Sequence, residues 1–220
     1  MVQILVDNKI IEAENGANLL QTCLDNDIYI PNLCYLNNSH DPFAACRLCF
    51  VEIDGKPVAA CTQKVSKGLR VQTDTPAVRG LQKSAFLFLL SVHDIKCKEC
   101  PANKRCELQR IAKFLKVGLK PKGLEIRLKD PGLDSGHPYL LVDLNRCVLC
   151  GKCVQVCRQK HGQSFLTFAK RGFNTVISAY TEPDDIPLNF SGCTACVDIC
   201  PVMAISLKDD IKSLNERTIC

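Results

Sequence analysis

Apolar and polar residues alternate from the start of the chain, V-Q-I-L-V over residues 2–6, and Ile10-Ile11 follows the turn-forming pair Asp7-Asn8. This pattern predicts a β-hairpin. Over residues 16–25 the period changes, and Leu19, Leu20, Cys23 and Leu24 fall on one helical stripe, with Cys23 as a small buried core residue. Strand patterning returns in residues 50–53, the Asp54-Gly55 turn and residues 58–60, then again in 71–73, completing a β-grasp-like sheet. Thr75-Pro76 reads as an N-cap with proline at the first helical position, opening a helix through Ser91. Its run 85–90 is apolar all round and is predicted to be buried. Residues 105–117 place Leu108, Ile111 and Leu115 on one face and Arg110, Lys113 and Lys116 on the other, and Gly118 ends that helix. Residues 119–138 hold three prolines and three glycines and read as a linker. A short strand over 139–144 follows, residues 159–188 are an insertion supplying an extra turn and strand, and the tail from Lys208 is polar.

Cysteine changes this picture, for the 220 residues contain 16 of them. The N-terminus lacks a charged region followed by an apolar one, so secretion is not expected, and clustered C-x2-C spacing inside a cell points to metal rather than disulfides. Cys147, Cys150, Cys153 and Cys157 read C-V-L-C-G-K-C-V-Q-V-C. By that spacing a tight loop wraps one four-iron core with three thiolates and sends the fourth to a neighbour, a bacterial-ferredoxin signature. It returns as C-T-A-C-V-D-I-C-P over residues 193–201, where Cys200, before proline, crosses back to the first core. Cys34, Cys46, Cys49 and Cys61 are spaced C-x11-C-x2-C-x11-C, one pair with distant partners, which can surround a two-iron cluster. Zinc is the alternative there, although structural zinc usually recruits two paired knuckles. His93, Cys97, Cys100 and Cys106 follow as H-x3-C-x2-C-x5-C. A histidine four residues ahead of three cysteines reads as a fourth ligand, and zinc accepts that set too. His40, His137 and His161 have no such company and are expected to be ordinary residues.

The formal charge of +5 counts every thiol as neutral. A core with four thiolates carries about −2 and one with a neutral fourth ligand about −1, so four sites offset roughly −6. The loaded protein is then near neutrality, the lysines are counter-charge, and nucleic-acid binding loses its support. The longest apolar run is too short to span a bilayer, so direct membrane insertion is not expected and a cytoplasmic location is. No G-x-G-x-x-G or Walker sequence is present to bind a nucleotide.

The order of these sites, with E-L-Q after Cys106, resembles one family nearly end to end, over residues 2–207. It is similar to the iron-sulfur region at the N-terminus of the complex I large subunit, to the small diaphorase subunit of NAD-reducing hydrogenases, and to the front of iron-only hydrogenases and NAD-dependent formate dehydrogenases. The resemblance implies that Cys34, Cys46, Cys49 and Cys61 hold a 2Fe-2S cluster. It also implies that His93, Cys97, Cys100 and Cys106 hold one 4Fe-4S cluster and Cys147, Cys150, Cys153 and Cys200 another. The expected fold is α+β: a β-grasp 2Fe-2S ferredoxin domain (1–76), a small helical histidine-ligated 4Fe-4S domain (77–118), a linker (119–138), a bacterial-ferredoxin-like domain (139–207) and a tail (208–220).

Two departures stand out. The catalytic domain that follows in longer relatives is absent from these 220 residues, which reads as a separate small subunit. Phe190 stands where a second ferredoxin cluster needs its first cysteine. Cys157, Cys193 and Cys196 therefore form an incomplete fourth site, for a 4Fe-4S or 3Fe-4S cluster completed by Asp184, Asp185, Cys220 or hydroxide, or for no cluster at all. The function expected is non-catalytic electron transfer between a flavin-containing NAD(P)H-oxidising subunit and a terminal catalytic subunit. That complex is a hydrogenase, a formate dehydrogenase or a related low-potential complex, with flavin-based bifurcation among the options. The alternatives are a free-standing ferredoxin-like carrier and a zinc-binding interaction module.

Overall fold

A computed structural model describes residues 1–37, 41–179 and 193–208. They fall into two compact units: Met1–Leu89 with Ile111–Pro121, and Leu90–Arg110 with the described residues from Lys122 onward.

The first unit begins with the hairpin that the alternation predicts, β1 (Val2–Val6) and β2 (Lys9–Ala13), antiparallel with Ile4 opposite Ile11. Helix α1 (Leu19–Asp25) starts at Asn18, whose Oδ1 accepts the Gln21 amide at 3.2 Å and so satisfies a donor of the first turn. Strands β3 (Phe50–Ile53) and β4 (Lys56–Ala59) form the second hairpin. Its turn places both Asp54 (φ 50°) and Gly55 (φ 73°) in the left-handed region, as the tightest hairpins require. Strand β5 (Arg70–Gln72) lies parallel to β1 and antiparallel to β3, giving the order β2-β1-β5-β3-β4. One side of this sheet and α1 close over Ile4, Val6, Leu19, Leu20, Val51 and Val71, and Cys23, Cys49 and Cys61 belong to the same core.

Helix α2 (Pro76–Leu90) opens as predicted, with Thr75 Oγ1 accepting the Val78 amide at 3.2 Å. The expectation of a wholly buried 85–90 run is corrected. Phe86 and Leu90 are buried, but Phe88 is 75% exposed. Six consecutive apolar residues cover the whole circumference of a helix, and this one buries a single side. That side is fixed by Gln82, fully buried, whose Nε2 donates to Phe50 O at 2.9 Å. Helix α3 (Glu107–Leu115) is amphipathic as expected, with Leu108, Ile111 and Leu115 buried. Its Phe114 packs edge-on against Tyr29 and beneath the Arg79 guanidinium.

In the second unit the stretch read as a linker contributes β6 (Leu133–Asp134), which pairs with β7 (Leu140–Asp143). The side chain of Asn145 anchors the same stretch, accepting the Lys129 amide at 2.7 Å and donating to Lys129 O at 3.1 Å. Helix α4 (Lys152–His161) follows, between Gly151 (φ 74°) and Gly162 (φ 75°). The predicted insertion supplies a hairpin of β8 (Leu166–Ala169) and β9 (Val176–Ala179). A single turn, α5 (Ala195–Asp198), leads to β10 (Ile205–Leu207), which completes the sheet β10-β7-β6.

Two glycines separate the uses of this residue. Gly80 lies inside α2 with open space around it, so Gly80→Ala is expected to stabilise the protein by about 0.5–1 kcal/mol. Gly151 starts α4 in the left-handed region, so Gly151→Ala should cost about 1–2 kcal/mol. Denaturant melts of the two variants beside the parent should move in opposite directions.

Candidate metal centres

Four buried cysteines of the first unit come together from three segments. Cys34 Sγ lies 3.4 Å from Cys46 Sγ, and Cys49 is hydrogen-bonded to Cys61. The loop carrying them turns through left-handed residues Ala44 (φ 48°) and Arg47 (φ 52°). Such turns aim successive amides inward and make a concavity suited to anions and iron-sulfur sites. Here the amide of Leu48 is among those bonded to Cys46. The thiol hydrogen bond from Cys34, with those amides, holds the Cys46 thiol below its ordinary value. Cys34 and Cys49 are pushed far up, first by donating to their partner sulfurs, then by burial and by neighbouring thiolate charge. Asn18, the cap of α1, also donates from Nδ2 to Cys61 O at 2.6 Å, tying the core helix to this cysteine segment.

His93 follows the end of α2 in the second unit and is buried. Its Nδ1 donates to Arg146 O at 2.9 Å, which puts the ring proton on Nδ1 and leaves the Nε2 lone pair available. Burial pushes its pKa below the usual histidine value, so the ring is neutral at pH 7. A second bond, Asp94 N to Asn145 O at 2.7 Å, holds this loop against the segment that leads into Cys147. Cys97 opens a short helical turn and Cys100 caps it, and both, like Cys106, are half-buried. Burial raises the Cys106 thiol, while the amides of Gln109 and Leu108, near the start of α3, oppose that shift.

Cys147, Cys150, Cys153 and Cys200 line one small cavity with the apolar residues Val148, Ile177, Val202 and Ile205. The Leu149 amide donates to Cys147 Sγ at 3.4 Å and the Ala204 amide to Cys200 Sγ at 3.2 Å. Leu149 (φ 53°) and Met203 (φ 50°) adopt left-handed backbone beside these sulfurs. Burial pushes the Cys147 thiol up to about 12, and Cys153 is raised for the same reason.

A second cavity of this unit is lined by Cys157, Cys193 and Cys196. Burial, then the charges of Cys157 and Cys193, raise the Cys196 thiol to about 12. His137 and His161, expected to be ordinary residues, both line this cavity, and His161 Nε2 lies 3.4 Å from Cys193 Sγ. For His161 a signal was present in the sequence, because Cys157-x3-His161 puts both side chains on one face of α4. For His137 there was none, since it precedes β7 and is far in sequence from the cysteines of this cavity. Phe190, Asp184, Asp185, Cys220 and His40 lie outside the described residues.

The donor chemistry fits iron-sulfur cores. Buried thiols repel one another's ionisation, and a cationic core with tetrahedral iron removes the penalty that raises them. None of the described cysteines is in a disulfide. Among the described residues no three His, Cys, Asp or Glu side chains are grouped as a single metal ion requires. Also among those residues, no helix is long and apolar enough to cross a membrane.

A family model described as a 2Fe-2S iron-sulfur cluster binding domain matches residues 1–76, and one described as the ferredoxin-like domain of NADH-quinone oxidoreductase subunit 3 matches residues 137–206. The gamma chain of the NAD-reducing hydrogenase HoxS of Cupriavidus necator is 29% identical over 93% of this chain and 86% of that protein. An NADH-quinone oxidoreductase subunit of Rhizobium meliloti is 29% identical over 93% of this chain. The alpha chain of the NADPH-Fe(3+) oxidoreductase of Geobacter sulfurreducens is 32% identical over 91% of it. The chain spans only 24% and 23% of those two proteins. Among solved structures, a chain of the NAD+-reducing [NiFe]-hydrogenase in the H2-reduced state superposes with a TM-score of 0.81 and 26% identity, covering 94% of this chain and 87% of that one. The protein thus carries a 2Fe-2S cluster-binding domain followed by a subunit-3-type ferredoxin domain, and nearly end to end it resembles the iron-sulfur subunits of NAD-linked hydrogenases and NADH-quinone oxidoreductases.

Proposed function

We propose that this chain is the electron-relay subunit of a multisubunit NAD(P)H-linked oxidoreductase. In this reading it stands between a flavin-containing NAD(P)H-oxidising subunit and a terminal catalytic subunit. The single observation that carries the reading is the cavity shared by Cys147, Cys150, Cys153 and Cys200, four sulfurs from two distant segments gathered in an apolar pocket with amides aimed at them. The hydrogenase gamma chain supports the relay role, because this chain matches most of that protein rather than a fragment of it.

The ligand sets follow the cysteine groups: Cys34, Cys46, Cys49 and Cys61 for a 2Fe-2S cluster, His93, Cys97, Cys100 and Cys106 for one 4Fe-4S cluster, and Cys147, Cys150, Cys153 and Cys200 for a second. When bound, such cores accept and release single electrons. The chain buries the sites, sets the charge of each ligand shell and donates amide hydrogen bonds to sulfur, all of which tune potential. His93 has a further part. Its Nδ1 is bonded to the Arg146 carbonyl, one residue before Cys147, so one hydrogen bond ties a residue of one proposed ligand set to the segment that carries the next. The 2Fe-2S domain occupies 1–76, the histidine site 77–118 and the ferredoxin-type domain 139–207, in a cytoplasmic complex.

Anaerobic purification of the native protein tests the role. A brown preparation that co-elutes with a flavoprotein is expected. A colourless protein containing zinc would establish the interaction-module alternative, and a brown species of about 24 kDa running alone would establish the free carrier.

Replacing the neutral imidazole by a thiolate adds negative charge to one cluster. His93→Cys is therefore expected to retain that cluster with a potential lower by on the order of 100 mV, the others nearly unchanged, as read by redox titration with electron paramagnetic resonance. His93→Ala should lose or convert the same cluster only.

The buried thiols also link metal to stability. Iron chelation or oxygen exposure is expected to abolish much of the native circular dichroism and the cooperative melt, because the cysteines occupy core positions that apolar packing alone does not secure. An apo form that melts like the loaded protein would contradict this.

A further inference from the structure

We infer that His161 is the fourth protein ligand of a 4Fe-4S cluster held by Cys157, Cys193 and Cys196, taking the place of the cysteine that Phe190 replaces. The inference rests on the relay reading above, since it concerns a further site of the same proposed relay. It begins with geometry. Cys157 and His161 are one turn apart on α4, and with Cys193 and Cys196 they line a single cavity. His161 Nε2 is already 3.4 Å from Cys193 Sγ, so imidazole and thiol face the same space. Loading a core moves these two atoms apart, because each must then sit at a different iron corner.

Two histidines line the cavity, and their hydrogen bonds distinguish them. His137 Nδ1 accepts the Tyr139 amide at 3.2 Å, so in the neutral ring the proton is on Nε2. That tautomer is a donor with no lone pair left for iron. His137 is fully buried against the site, and its place is that of a donor to a cluster sulfur. His161 instead has Nε2 itself, the nitrogen that would take iron, at the Cys193 sulfur and the cavity. The spacing Cys157-x3-His161 is also the reverse of His93-x3-Cys97, so each of the two shells would combine one imidazole with three thiolates. Each then carries about −1 rather than −2 when its core is oxidised, and both are easier to reduce than the four-cysteine cluster of Cys147, Cys150, Cys153 and Cys200.

Nitrogen hyperfine spectroscopy on the anaerobically purified native complex tests this, with iron counted per copy of this chain after subtraction of the partners. In a His93→Cys background the second histidine-ligated cluster should still show strong nitrogen coupling. Adding His161→Cys should abolish the coupling while iron stays at about 14 per chain. His161→Ala should lower the count to about 13, with a three-iron signal, or to about 10. A count of about 10 in the parent, coupling already absent in His93→Cys, or iron and coupling unaltered in His161→Ala would overturn the assignment. So would coupling that survives His161→Cys and disappears in His137→Gln. Those results would leave the relay reading standing as long as the other three clusters are present; loss of all iron from the native complex would instead refute that reading.

Discussion

Thiols buried together are the constraint on which this structure depends. Fifteen described cysteines are free, and nearly all are buried or half-buried beside others of their kind. Burial first, and neighbouring thiolates after it, make ionisation harder, which is why Cys147 and Cys196 rise to about 12 and Cys153 rises as well, while Cys34 and Cys49 rise first because they donate to partner sulfurs. A protein seldom concentrates such groups without a cation to compensate them. In the first unit Cys49 and Cys61 are part of the hydrophobic core itself, alongside Leu19, Leu20 and Val51, so the proposed cluster and the core share a packing problem.

The backbone responds to that constraint in the same way at separate places. Ala44, Arg47, Leu149 and Met203 are non-glycine residues in left-handed conformation, and all lie within a few residues of a grouped cysteine. Strain of about 1–2 kcal/mol at each such residue is tolerated where the turn brings an amide to sulfur. The Leu149 and Ala204 amides at their sulfurs are the visible result. Gly151 performs a related turn without strain, at the point where loop becomes helix α4.

Histidines are divided by which ring nitrogen the backbone engages. A carbonyl facing Nδ1, as Arg146 does for His93, frees Nε2 as a base. An amide facing Nδ1, as Tyr139 does for His137, makes Nε2 a donor. One atom of the neighbouring peptide thus decides whether a buried imidazole is suited to iron or to sulfur.

The sequence by itself determined the local elements and the grouping of donors. Alternation and turn chemistry placed both hairpins of the first sheet, and Thr75-Pro76 placed the start of α2, because period and capping are properties of a few adjacent residues. The C-x2-C spacings likewise marked the cysteine groups, since loop length limits which thiols can meet. What it left undetermined were matters of direction. Residues 85–90 are apolar around the whole helix, and only packing decided that Phe86 turns inward and Phe88 outward. The stretch 119–138 lacks strand periodicity, and β6 forms there because β7 offers it an edge. Only tertiary structure could bring His137 and His161 to one cavity with Cys193 and Cys196, because they come from segments far apart in the chain. Spacing constrains neighbours in sequence, whereas a site assembled across a fold depends on which faces the core has already claimed.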